Sequence, residues 1–260
     1  MSDFQGDANG ASGFFKPDFI PEADVLVIAG DFCPPLHRSI SSLSKISFLM
    51  PVVYVPGNRD FYTRSTMEDE LELARQFARA PQGKGIHILD DQSVVVAGTR
   101  FIGATLWTDL EFDGGLSNAA LGMSDFSEIT TGSGTFSPSE FRRRHKASRA
   151  FIEDTLAMPF DGPSVVVSHH SPHPNSVGAR FADNRNGANA LFHSDLSEIL
   201  EGPSAPDMWV HGATHVSADY VVGQTRILNN PLGYGRGSEN EDFIPDLVVE
   251  LSAPSYLPSY

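Results

Sequence analysis

Residues 52–62 read Val-Val-Tyr-Val-Pro-Gly-Asn-Arg-Asp-Phe-Tyr, an apolar run that passes through Pro56-Gly57 into Asn58, Arg59 and Asp60. Continuous rather than alternating apolar character suits a strand covered on both faces. The pattern recurs along the chain: Val25 to Ala29 runs into Gly30-Asp31, Val165 to Val167 into Ser168-His169-His170, and Met208 to Val210 into His211-Gly212-Ala213-Thr214-His215. Polar side chains are expensive near a core unless they find partners. In an open α/β sheet the crevice beyond the strand C-termini is where ligands bind, so these loops deliver Asp, Asn and His to one edge. Glycines at 30, 57 and 212 allow the tight turns that aim those side chains inward.

Between the first two strands, Leu36, Ile40, Leu43, Ile46 and Leu49 or Met50 recur at helical spacing and predict a helix over 36–50, completing a strand-helix-strand crossover. A second helix is predicted over Thr66 to Ala80, with Thr66 as N-cap, Asp69 as its capping partner and Pro81 beyond the end. Strands follow at 86–89, 93–97 and 100–104, the last two forming a hairpin through Gly98-Thr99. Residues 113–136, rich in Gly, Ser and Thr, read as a long surface loop. A long helix follows over 139–158, with Ser137-Pro138 as cap and first turn and Arg142 to Lys146 on its wet face. Further strands are expected at 164–167, 208–210, 220–222, 226–228 and 247–251. The whole chain, 1–260, reads as one α/β domain.

Asp, Asn and imidazole together form a mixed oxygen and nitrogen set suited to divalent cations of the Mn, Fe, Zn or Ni class rather than to a thiolate site. Singly, each piece has an ordinary reading: Gly-Asp and Gly-Asn pairs make turns, and a histidine beside a strand is usually a satisfied interior residue. Their order and shared position carry the argument. A Ser/His/Asp reading of Ser168 with His170 lacks a nucleophile-elbow pattern.

The order Gly30-Asp31, Gly57-Asn58-x-Asp60, His169 and Gly212-x-Thr214-His215 resembles the calcineurin-like metallophosphoesterase superfamily over nearly the whole chain. VPGNRDFY and MWVHGATH are similar to its Gly-Asn-His-Glu/Asp and Gly-His-x-His motifs, and its opening Asp-x-His motif falls on Asp3-Phe4-Gln5. The resemblance implies two facing mixed β-sheets flanked by helices and a metal centre of one or two ions at the strand ends. It assigns one cation to Asp3, Gln5, Asp31 and His215, and a second, bridged by Asp31, to Asn58 and His169; Arg59 and Asp60 are the candidate catalytic residues. The implied reaction is phosphoester hydrolysis of a small phosphorylated substrate, a diester or a monoester.

Three positions depart from that pattern. Gln5 replaces a metal-binding imidazole with a neutral amide, and Ala213 replaces another with a methyl group that cannot ligate. Arg59 stands where the family has a histidine beside the scissile phosphate; a guanidinium stays charged, so it binds phosphate but cannot act as a general acid. His170, His173 and His211 are nearby substitutes for the missing ligands, with second-shell or surface roles as the ordinary reading. The apolar strand that in the family delivers the first aspartate is not in the sequence before Asp3, so either residues precede Met1 or Asp3 is poorly anchored. Two readings therefore stand: a metal-dependent phosphoesterase, and a non-catalytic descendant that binds a phosphorylated ligand or protein partner through Arg59.

The formal net charge of -15 argues against a broad nucleic-acid or anionic-membrane footprint. No apolar run approaches the roughly 20 residues that span a bilayer, and residues 1–13 lack a signal core. The lone cysteine, Cys33, rules out an intrachain disulfide and suits the reducing cytoplasm, with core packing as its expected role.

Overall fold

The computed structural model describes residues 1–6, 21–111, 122–178, 188–235 and 239–251. A parallel three-stranded sheet joins β1 (Leu26–Ala29), β2 (Val52–Val55) and β3 (Ile86–Ile88) in that order. A six-stranded sheet runs β10-β11-β9-β8-β5-β4, built from β4 (Gln92–Val96), β5 (Thr99–Ala104), β8 (Ser164–Ser168), β9 (Met208–His211), β10 (Ala218–Val222) and β11 (Thr225–Asn229). Its four inner strands are parallel and its two edge strands antiparallel.

Every central strand buries both faces, which explains the unbroken apolar runs. Val53 and Val55 of β2 and Val165 and Val167 of β8 meet in the core between the sheets, with Phe101, Met208 and Val210. Their alternates point outward: Val52 and Tyr54 toward α1 (Leu36–Leu43) and α2 (Met67–Arg79), Val166 and Trp209 toward α4 (Pro138–Ala157) and α5 (Ser197–Leu200). The result is a helix-sheet-sheet-helix sandwich whose parallel strands end along one rim.

Local chemistry explains several element boundaries. Thr66 Oγ1 accepts from the Asp69 N–H at 3.1 Å and caps α2, while Ser137 Oγ caps α4 by accepting from Glu140 N–H at 3.2 Å. The first helix stops at Leu43, earlier than predicted. Ser44 Oγ donates to Ser41 O and Ser47 Oγ to Ser44 O, side-chain bonds that compete with helix continuation. The β4–β5 hairpin turns at Ala97-Gly98, one residue earlier than read, with both φ values positive at 48° and 78°.

Two expectations are corrected. Residues 122–136 are not simply a surface loop: they form α3 (Asp125–Glu128) and a small hairpin of β6 (Thr130–Thr131) and β7 (Gly134–Thr135). Phe136 lies 4.7 Å from the Trp107 ring and 5.7 Å from that of Phe141, and this aromatic cluster draws the segment into the core. Residues 113–121 lie outside the described residues. Leu247 to Leu251 do not form a strand; Val249 and Leu251 pack against the inter-sheet core without joining a ladder. The basic run of α4 is largely on the wet face, except that His145 is buried and donates from Nδ1 to Leu106 O at 3.1 Å. Among the described residues no helix is long and apolar enough to cross a membrane.

Candidate metal centre

Asp31 follows β1 through Gly30, whose φ of 87° and surroundings exclude a side chain: a β-carbon there would lie 2.5 Å from His169 Nδ1 and 2.6 Å from Gly57 N. Asp3 is fully buried and held by the main chain, donating its N–H to Gly30 O at 3.1 Å and accepting from Gly233 N–H at 3.0 Å. The anchoring that the sequence left open is therefore present. Asp3, Gln5, Asp31, Ala213 and His215 all have positive φ, between 49° and 64°. Such non-glycine strain costs about 1 kcal/mol or more per residue and concentrates at functional sites.

The predicted ligands converge. One ligand atom from each of Asp3, Asp31 and His169 lies within 4.8 Å of the others. His215 Nε2 is 3.4 Å from Asp3 Oδ1, and His169 Nε2 is 3.7 Å from Asp31 Oδ2. Gln5 Nε2 donates to Asp31 Oδ2 at 3.3 Å, while its buried Oε1 has no hydrogen-bond partner among the described residues. His169 Nδ1 lies 2.8 Å from Ala29 O and so carries a proton, whereas its Nε2 faces Asn58 Oδ1 at 2.9 Å. The Asn58 amide orientation is set by its Nδ2, which donates to Asp125 Oδ1 at 2.7 Å.

Without a cation, protons carry the positive charge of this cluster. Burial pushes the Asp31 carboxyl up to about 7; neighbouring Asp60 and Asp3 add to the effect and His169 resists it. Burial alone would lower His169, but Asp31 and Asp3 outweigh it and raise the imidazole above its ordinary range. His215 is raised to about 10 because its hydrogen bonds with Asp3 and Glu239 overcome burial, and Asp3 falls to about 2 as His215 outweighs its own burial. A dense, buried, acidic pocket with two imidazoles and an unpartnered amide oxygen fits a divalent cation.

Asp60 stands behind the centre. Its Oδ2 accepts from Tyr54 Oη at 2.7 Å, Gly57 N at 2.9 Å and Asp31 N at 3.2 Å, and its Oδ1 from Ser39 Oγ at 3.1 Å. It fixes the two ligand loops against each other and is not among the residues lining the cavity. Arg59 does line it: its Nη1 donates to Tyr234 Oη at 2.6 Å, and its guanidinium lies 5.3 Å from the Tyr234 ring and 5.8 Å from that of Tyr62. The cavity encloses about 340 Å³.

The substitute histidines have structural roles. His170 packs on Trp107 and donates to Thr105 O; His211 sits between Ser176 and the Gly212 carbonyl; His173 caps a 3-10 turn by accepting from Asn175 N. Ser168 is buried, donating to His170 O and accepting from Trp209 Nε1, so it is no nucleophile. Cys33 is buried in the core. Sequence reasoning missed Asp125, Glu239 and His193. Glu239 accepts from His215 Nδ1 at 2.8 Å, the orienting contact expected of a carboxylate behind a metal-binding imidazole, and His193 lines the cavity. None of the three sits in a motif or at a recognisable strand end.

The chain matches the model of the calcineurin-like phosphoesterase family over residues 1–217. No curated protein sequence matches it. Among solved structures it is similar to the phosphopantetheinyl hydrolase of Mycobacterium tuberculosis, with a TM-score of 0.68 and 18% identity over 100% of this chain and 97% of that one. It also matches a putative 5'-nucleotidase from Staphylococcus aureus at a TM-score of 0.42 and 12% identity, covering 89% of this chain and 47% of that one.

Proposed function

The chain belongs to the calcineurin-like phosphoesterase family, and we propose that within it this chain is a metal-dependent hydrolase of small phosphoesters that favours diesters. The carrying observation is the meeting of His169 Nε2 with Asn58 Oδ1 beside the Asp31 and Asp3 carboxylates, a set of lone pairs aimed at one point. One cation position draws on Asp3, Gln5, Asp31 and His215, the other on Asp31, Asn58 and His169. Bound there, divalent cations of the Mn, Fe, Zn or Ni class supply Lewis acidity, acidifying water and neutralising phosphoryl oxygens. Ala213 contributes only a methyl group, which leaves the second position with fewer protein ligands.

Arg59 binds the phosphoryl oxygens and stabilises charge as the P–O bond to the leaving alcohol breaks. Water supplies the new oxygen on phosphorus, and the departing alkoxide takes its proton from solvent because a guanidinium cannot give one. Esters with good leaving groups therefore suffer least. The single cysteine, buried and free, supports a reading in which the protein works in a reducing compartment such as the cytoplasm.

The test is hydrolysis of bis(4-nitrophenyl) phosphate by Mn-supplemented protein, which Asp31→Ala and His169→Ala should each abolish. Turnover unchanged in those variants would remove the proposal. The arginine at position 59 and the alanine at 213 favour a second reading, a non-catalytic binder of phosphorylated ligands or a protein partner. Elemental analysis separates the two: near-stoichiometric metal supports the hydrolase, and none after Mn loading supports the binder.

A further inference from the structure

The cavity beside the metal centre combines ligating and charged side chains with apolar ones. Asp3, Asp31, Asn58, His169 and His215 form its floor, and Arg59 presents a positive charge held in place by Tyr234 Oη and flanked by two tyrosine rings. The lining also includes Phe192, Met123 and Val177, all half-buried, interspersed with Ser124, Asn189 and His193; Met123 and Phe192 pack against the main core. These apolar side chains are backed by folded structure, so they offer a fixed wall rather than a flexible fringe. Among the described lining residues, Arg59 is the one Lys or Arg, set against the carboxylates of Asp3, Asp31 and Glu239. Arg59 pairs with the one phosphate at the metal centre, and among the described lining residues no second Lys or Arg is left to receive another anion.

We propose that this wall is a specificity subsite for the non-reacting arm of a phosphodiester, and that the arm it takes is uncharged and apolar over several carbons. The inference rests on the phosphodiesterase reading and deepens it. The phosphate, carrying a single negative charge as a diester, sits between the metal centre and Arg59; the arm runs along Phe192 and Met123 and removes their exposed surface from water.

The test pairs a binding series with a hydrolysis series. Hexyl methylphosphonate, methyl methylphosphonate and 5-carboxypentyl methylphosphonate are titrated calorimetrically into Mn-supplemented protein. The hexyl ligand should bind at least ~10-fold more tightly than either of the others. Phe192→Ala combined with Met123→Ala should reduce that preference to below ~3-fold while leaving the affinity for methyl methylphosphonate unchanged. Equal affinity for the hexyl and methyl ligands, or tighter binding of the carboxylated arm, overturns the subsite. In parallel, 4-nitrophenyl hexyl and 4-nitrophenyl methyl phosphates are compared as substrates. Hydrolysis of both at the same kcat/KM overturns the subsite and leaves the hydrolase standing. Hexyl-selective binding without any hydrolysis supports the subsite and removes the hydrolase.

Discussion

His169 Nε2 lies 2.9 Å from Asn58 Oδ1 while Nδ1 of the same ring already donates to Ala29 O. A neutral imidazole in that tautomer would set two lone pairs against each other, so the contact calls for a second proton on Nε2, donated to Oδ1, or for a cation that both atoms would help to hold. Binding Mn to the metal-free protein should therefore release protons below neutral pH. A pH-stat titration reads the release directly; His169→Gln should release fewer protons and bind Mn on the order of 10–100-fold more weakly. Equal release by wild type and variant would count against the arrangement.

A β-carbon at Gly57 would overlap Asp31 Oδ1 and lie 2.8 Å from His169 Cε1. Gly57→Ala should thus damage the metal centre far more than the fold. We expect a loss of at least ~10-fold in Mn affinity with a near-native circular dichroism spectrum and a modest fall in stability of about 1–3 kcal/mol. Retained affinity would show that Asp31 is not held where it is needed.

The Asp3–His215–Glu239 chain sets a pH limit. With His215 raised from 6.5 to about 10, its contribution to stability is complete below pH 6.5 and fades as pH rises toward 10. Asp31 acts in a lower window: with its carboxyl raised from 3.8 to about 7, stability is lost as pH rises between those values, where the unfolded carboxyl is ionised and the native one still protonated, and the loss is complete above that range. Urea unfolding of metal-free protein between pH 7.5 and 10 therefore isolates His215 from Asp31. Stability should fall across that range by on the order of 1–3 kcal/mol, and His215→Gln should flatten the slope.

Arg59→His tests the leaving-group argument. An imidazole at this position can hold a transferable proton where the guanidinium cannot. Relative to wild type, the variant should gain most on esters of poorly acidic alcohols and little on nitrophenyl esters, read as the ratio of kcat/KM values for phenyl and 4-nitrophenyl methyl phosphates. A ratio that does not move would show that proton delivery is not what Arg59 gives up.

Asp60→Asn places an amide where four donors converge, so at least one of Tyr54 Oη, Ser39 Oγ, Gly57 N–H or Asp31 N–H loses its acceptor. Thermal or urea unfolding should show a loss of roughly 1–3 kcal/mol.

The strand-to-loop frame was legible because each central strand is buried on both faces and ends abruptly in ligating residues, as Val55 to Asn58 and Val167 to His169 do. Helix caps at Thr66 and Ser137 were readable for a related reason: the capping oxygen and the N–H it accepts from lie three residues apart. What the sequence concealed depends on contacts between distant segments. Asp125 reaches Asn58 from 67 positions away, and Glu239 reaches His215 from a loop with no motif. The composition of 122–136 suggested a loop because two aromatic contacts to Trp107 and Phe141, invisible to periodicity, decide its fate. Asp60 looked like part of the reactive set because it sits in the motif; its placement behind the loops emerges only in three dimensions.

Asp31 and Asn58 descend from the smaller sheet, His169 and His215 from the larger one. An ion shared among them would be a cross-link between the halves of the sandwich, reinforcing a seam otherwise held by apolar packing and by a few hydrogen bonds such as His169 to Ala29 O and Thr105 Oγ1 to Pro56 O. Chelation would thus loosen the molecule along the seam between its layers, and amide exchange should quicken first at the rim where β1, β2, β8 and β9 end, well before the outer helices respond.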